Sequence, residues 1–206
     1  MSVIEQHIAQ WPQSPFATLD GAAWEITRDL EGILAKVLDT LGDDYLRNGN
    51  VAIHRSATVE DGALIKGTAI IGPGCFIASA SLLRGGTWLG EGCIIGPGSE
   101  LKTSIMFAGS KLAHFNFVGD SVLGAGVNIE AGAIIANYRN ELETPDIRLE
   151  YQGKVITLPT PKFGALVGDH SRIGANAVVA PGAILSPGTR VGRLALLDQR
   201  PADTAR

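Results

Sequence analysis

From Ile53 onward, large aliphatic residues recur every six positions: Val59, Ile65, Ile71, Ile77, Leu83, Leu89, Ile95 and Leu101. Two residues before each stands a small one: Val51, Ala57, Ala63, Ala69, Cys75, Ser81, Thr87, Cys93 and Ser99. The pattern continues through Met106, Leu112, Val118, Leu123, Ile129 and Ile135, and returns at Val167, Ile173, Val179, Leu185, Val191 and Leu197. A period of six belongs neither to a helix nor to a simple alternating strand. It fits short strands joined by turns, with the aliphatic and the small residue both facing inward. Gly-Pro-Gly at 72–74 and 96–98 and Gly-Ala-Gly at 124–126 follow the aliphatic, where a corner must bend. Three strands per coil predict a triangular prism of about eighteen residues per turn. Cys75 and Cys93 fall on the small inward position one coil apart and read as buried space-fillers.

The ladder is interrupted in two ways. The step shortens to five between Leu101 and Met106 and again between Val118 and Leu123, with His114 between the two short steps. Irregularities in repeat folds often lie beside functional sites. Between Ile135 and Val167 there is more chain than two hexapeptides need. There Ile147, Leu149 and Tyr151 alternate with Arg148 and Glu150, Gln152-Gly153 reads as a turn, and Val155 to Leu158 as a return strand. The segment 141–164 is therefore predicted to form a β-hairpin projecting from a prism corner.

Ahead of the ladder, residues 1–50 form a separate arm. Pro12 and Pro15 break its first part. Asp20 is placed to cap a helix over about 22–41, in which Ile26, Leu30, Ile33, Leu34, Val37, Leu38 and Leu41 share one face. Packed on the open end of the prism, this helix would supply the terminal element that repeat arrays require. The organisation is thus a helical arm, 1–50, and a prism domain, 51–206. Past Leu197 the polar segment Asp198 to Arg206 is expected to fray.

Composition narrows the function. A net charge of -4 gives no electrostatic reason to expect nucleic acid or an anionic membrane as partner. No apolar run spans a bilayer, no secretory leader is evident, and two Cys make no disulfide framework, so a cytoplasmic protein is expected. His54, His114 and His170 could converge on a metal, but no closely spaced His pair stands in the chain, and no metal is expected.

Gly-Ser-Lys-Leu-Ala-His-Phe-Asn-Phe-Val-Gly-Asp at 109–120 resembles the stretch around the catalytic histidine of a hexapeptide-repeat acyltransferase family. That family is the C-terminal acetyltransferase domain of the bifunctional UDP-N-acetylglucosamine pyrophosphorylase and glucosamine-1-phosphate N-acetyltransferase. Gly-Ala-Gly-Val-Asn-Ile-Glu-Ala-Gly-Ala at 124–133 and Ala-Asn-Tyr at 136–138 continue it in register. Leu-Arg-Gly-Gly at 83–86, Glu-Leu-Lys at 100–102, Lys162-Phe163 and Val167-Gly168-Asp169 match its other polar positions. The resemblance implies a left-handed parallel β-helix, all-β apart from the arm, and a homotrimer with active sites between neighbouring prisms. It implies direct N-acetylation of an amino-sugar phosphate or a nucleotide-linked amino sugar by acetyl-CoA, without a metal. His114 would be the general base, since an imidazole can take the amine's proton near neutral pH. Arg84, Lys102 and Lys162 would hold the phosphate and Asn128 the sugar. Ala131, Asn137 and Tyr138 would line the acetyl-CoA side.

Two departures bear on this reading: Phe117 stands where the family has Tyr, and Ala175 where it has Ser on the CoA side. The linked nucleotidyltransferase domain and the long C-terminal tail have no counterpart in the sequence. Taken singly, Arg84, Lys102 and Lys162 are ordinary solvated charges, and Asn128 fits an inward stack or a turn equally well. Two rivals follow. One is a non-catalytic sugar-phosphate-binding or trimerisation module that keeps the pocket. The other is an enzyme fed by a long-chain acyl carrier protein, which needs an apolar groove and a basic docking face.

Overall fold

The computed structural model describes residues 1–201. The ladder folds as predicted into a parallel β-solenoid. Its aliphatic rungs, Ile71, Ile77, Leu83, Leu89, Ile95, Leu101, Met106, Leu112, Val118 and onward, are fully buried in one continuous core. The small residues two positions earlier complete it. Cys75 and Cys93 are buried one above the other, as expected of space-fillers. Hydrogen bonding to Cys75 and burial raise the Cys93 thiol well above its ordinary value, which keeps it protonated and inert.

Three columns of positive-φ residues form the corners. One column carries Gly74, Gly92, Gly109, Gly126, His170 and Gly188; a second carries Gly62, Ala80, Gly98, Phe115, Gly132, Asn176 and Leu194. In the third, Gly85 and Gly86 are followed one coil later by a single residue, Thr103, and then by Asp120. The five-residue steps therefore lie at this third corner. The irregularity sits beside Lys102 and not beside His114, which belongs to the second corner. With one residue removed, the strands Leu82–Leu89 and Glu100–Met106 turn the corner with a register shift between Arg84 and Thr87.

Of the three faces, one is covered. Its outward residues are apolar: Ala52, Ile70, Trp88, Ile105, Val122, Leu166 and Ile184. Over them lie helix α1 (Val3–His7), a short helical turn at Trp11–Gln13, α2 (Ala23–Arg28) and α3 (Leu30–Leu38). Phe16 meets Trp88 edge to face at 5.2 Å, and Trp11 and Trp88 both pack on Phe107. Each such ring buried removes enough apolar surface from water to contribute about 2 kcal/mol. Asp169 straps the arm down by accepting from the backbone N–H groups of Ala9 and Ala125.

The arm departs from its predicted form. The helix expected over 22–41 kinks at Asp29 into α2 and α3. At the kink the first turn of α3 presses on the third corner, where a Cβ on Gly86 would meet the Glu31 backbone nitrogen at 3.1 Å. Asp20 is not the cap: Glu25 reaches back to the Ala22 N–H. The helix lies along the flank, not on the open end, because that is where the uncovered apolar rows are. At the open end the antiparallel strand Tyr45–Asn48 pairs with Val51–His54. Helix α1 was missed, although Ser2 and Glu5 carry a capping-box spacing and do form the box.

The inserted hairpin forms, Arg148–Tyr151 against Lys154–Thr157, with Gln152 and Gly153 at positive φ in the turn. It does not project. Ile147, Leu149 and Leu158 are buried on the covered flank, and the Glu150 N–H donates to the Gln199 carbonyl. The C-terminal segment is pinned at its start. Arg139, buried, forms a two-pronged ion pair with Asp198, and Gln199 bonds both the N–H and the carbonyl of Ile184. The remainder of the segment expected to fray, 202–206, lies outside the described residues.

Candidate functional site

The face between the second and third corners stays uncovered, and the candidate residues other than Asn128 lie along its edges. At the third corner Arg84, Lys102 and Lys162 line one open depression with Phe117, Asn137 and Tyr138. Five separate segments supply these groups. Arg84 and Lys102 are register partners on adjacent strands, and Asn137 follows the strand Ile134–Ile135 of a later coil. Lys162 is brought over the corner by the end of the inserted segment.

Carboxylates accompany the cations. Arg84 pairs with Glu100 at 2.7 Å, and Lys102 Nζ lies 2.8 and 2.7 Å from the two oxygens of Asp120. Asn137 Nδ2 donates to the same carboxylate. Lys162 has no ion-pair partner among the described residues. Sequence reading missed Glu100 and Asp120 as members of the site. The available signal was coil spacing: Glu100 stands 16 residues after Arg84, Asp120 18 after Lys102 and Asn137 17 after Asp120.

A second groove continues across the corner onto the arm. Arg28, Glu31, Gly85, Thr103, Asp120, Thr160, Pro161 and Lys162 line it. Arg28 is held up as a cation by Asp29, its neighbour on the exposed surface.

His114 is exposed at the second corner. Its backbone N–H donates to Asn116 Oδ1, and its carbonyl accepts from Gly132. Ala131 stacks on it one coil later, its own carbonyl accepting from Asn176. His114 and Asp120 are six residues apart along the strand direction, on the order of 15 Å. Within one chain, therefore, the imidazole stands at the opposite edge of the face from the cations. Asn128 is farther still, on the next face. There it is register partner to Lys111 and Arg172 and lines a shallow depression with Glu130, Arg190 and Arg193. The residues expected on the acetyl-CoA side separate too: Asn137 and Tyr138 join the cations, Ala131 the histidine.

His170 lies on the first corner column, and His54 ends the strand Val51–His54 in the first coil, both away from His114. Among the described residues no three His, Cys, Asp or Glu side chains cluster as a metal would require. No helix among them is long and apolar enough to cross a membrane.

Residues 68–103 match the model of the bacterial transferase hexapeptide, six repeats. This match goes with the left-handed coil that the resemblance implies. The chain is similar to a bifunctional sugar-1-phosphate nucleotidylyltransferase/acetyltransferase of Sulfurisphaera tokodaii, 37% identical over 92 residues, covering 45% of this chain and 22% of that protein. It is also similar to the bifunctional protein GlmU of Methanococcus maripaludis strain C7, 36% identical over 182 residues, covering 86% of this chain and 44% of the relative. The chain spans less than half the length of either relative. Among solved structures, a variant of the Bacillus cereus N-acyltransferase AntD, in complex with dTDP and coenzyme A, aligns at 17% identity and a TM-score of 0.39. The alignment covers 79% of this chain and 84% of that one.

Proposed function

We propose that this chain is a hexapeptide-repeat acyltransferase that moves acetyl from acetyl-CoA to the amine of an amino-sugar phosphate or nucleotide-linked amino sugar. One observation carries the reading. Arg84, Lys102 and Lys162, remote in sequence, converge with Asn137 and Tyr138 on one solvent-open depression. Cations so gathered suit a phosphate.

The amine nitrogen attacks the thioester carbonyl, the new C–N bond forms, and the C–S bond breaks. His114 takes the amine's proton and returns it to the departing thiolate. Since one chain holds His114 and the cations at opposite edges of a face, the proposed active unit is a homotrimer. In it, His114, Asn128 and Ala131 of one chain face the cation corner of the next. An apolar stripe supports association through this face: Leu64, Ile134, Val178 and Leu196 are 53%, 37%, 36% and 70% exposed.

The test is acetyl transfer to glucosamine 1-phosphate, with His114→Ala and Lys162→Ala as variants. His114→Ala should lose turnover by at least 10²-fold with the trimer intact; full activity in that variant would remove the mechanism. Lys162→Ala should raise KM with little change in kcat.

A second reading is favoured by the carboxylate partners already held by Arg84 and Lys102, which leave the depression less cationic than its residue list suggests. In it the chain binds sugar phosphates without transfer. Calorimetry would then show binding of glucosamine 1-phosphate and none of acetyl-CoA.

A further inference from the structure

A cavity of about 230 Å³ lies between the arm, the hairpin and the covered flank, apart from the cation depression. Ile4, Ala22, Trp24, Ile156, Phe163 and Leu166 are among its walls, and nearly all of its surface is apolar. Apolar cavities of about 150 Å³ stay dry and take up benzene, so this one has room for a chain of roughly eight carbons. The one hydroxyl on its wall, that of Tyr151, already accepts from Gln152.

Residues close in the chain to the cavity's walls line the groove that carries Arg28 and Lys162. Trp24 and Phe163 meet edge to face at 5.8 Å and wall the cavity. Arg28 stands one helical turn after Trp24, and Lys162 immediately before Phe163, and both line the groove. Glu31 and Asp120 also line it, but Glu31 Oε1 accepts from the Thr68 N–H and Asp120 holds Lys102.

We propose that this cavity binds a medium-chain acyl anion, its chain among Ile4, Trp24 and Leu166 and its anionic head on Lys162 and Arg28. Its small volume favours a single flexible chain over a peptide segment. The arrangement sets an apolar pocket and two cations on either side of one pair of rings, the two chemistries that an amphiphile of this length requires.

The probe is octanoate, titrated calorimetrically into the full chain beside butyrate and 1-octanol. Octanoate should bind saturably, one per chain, and at least about 10²-fold more tightly than butyrate, since each buried methylene is worth about fourfold. Ala22→Leu fills the cavity and should weaken octanoate at least tenfold with the thermal midpoint unchanged or raised. If that variant does not fold, Val3→Phe, at a wall position 40% exposed, fills the same space. Lys162→Ala should weaken octanoate several-fold and leave 1-octanol unchanged. Absence of saturable octanoate binding to the native chain overturns the site. So does full affinity in the filled variant. Equal loss of octanoate and octanol in Lys162→Ala overturns the placement of the head. None of these readings depends on acetyl transfer.

Discussion

Lys102 Nζ touches both carboxylate oxygens of Asp120, and the shortened corner holds Asp120 in the left-handed backbone region at φ 46°. The pair is largely shielded, with 16% and 9% of the two side chains exposed. Asn tolerates this backbone region, so Asp120→Asn removes the charge without disturbing the turn. Urea denaturation should show a loss of about 1–3 kcal/mol, the worth of a charged hydrogen bond in such a setting. Inorganic phosphate should bind the depression several-fold more tightly once Lys102 is released. Unchanged stability and unchanged phosphate binding together would mean that the pair does not govern the depression.

Phe117 offers a direct test of the sugar-phosphate assignment. Its half-buried ring lines the depression, and it carries no group able to hydrogen-bond a substrate. Phe117→Tyr adds a hydroxyl at the end of that ring. Steady-state kinetics with glucosamine 1-phosphate should show KM falling by roughly three- to tenfold, as one added neutral hydrogen bond allows. No change would place the acceptor elsewhere on the face.

The Arg139–Asp198 clamp sets an acid limit on stability. Hydrogen bonding to Arg139 lowers the Asp198 carboxyl below its ordinary value. A carboxylate whose folded value is depressed stabilises the protein above the unfolded value, about 3.9, and that contribution is lost as pH falls through the folded value. Asp198→Asn should therefore cost about 1–3 kcal/mol at neutral pH, with the difference from native closing below about pH 4. Melting temperatures across that range read it directly. A gap that persisted in acid would mean that the clamp acts through packing rather than charge.

Gly96 leaves no room for a side chain. A Cβ there would stand 1.7 Å from the Ala113 carbonyl oxygen and 2.8 Å from that of Leu112, both backbone atoms of the next coil. Gly96→Ala should destabilise by about 3 kcal/mol or more, since the coil must shift to admit it. Ala113 immediately precedes His114, so on the proposed reaction any folded fraction should also transfer acetyl more slowly. A denaturation midpoint equal to the native one would show that the coil spacing is looser than described.

The inward ladder was legible because each rung repeats the same pair, a small residue and an aliphatic two positions on, and a coil of short strands buries both. The flank was not. Ile70, Trp88, Ile105, Val122, Leu166 and Ile184 each directly precede an inward aliphatic, yet so do Phe76, Leu82 and Ile94 on the other faces. Spacing alone could not say which face the arm would choose. The convergence of Arg84, Lys102 and Lys162 was expected from the resemblance. Their partners Glu100 and Asp120 required the coil register, which a five-residue step displaces by one. That the imidazole would stand a full face away from the cations could not be read from spacing, because it depends on which corner was shortened.

The arm's hold on one flank has a bearing on how this column can change length. Each additional coil would bring another outward apolar position onto that flank, and nothing in the present arm could reach it. Growth of the column and growth of its cover are tied together, so a lineage that lengthened the one without the other would expose a strip ready to stick to anything apolar. The covering segment thereby acts as a ruler, fixing the number of turns as firmly as the turns fix its own path.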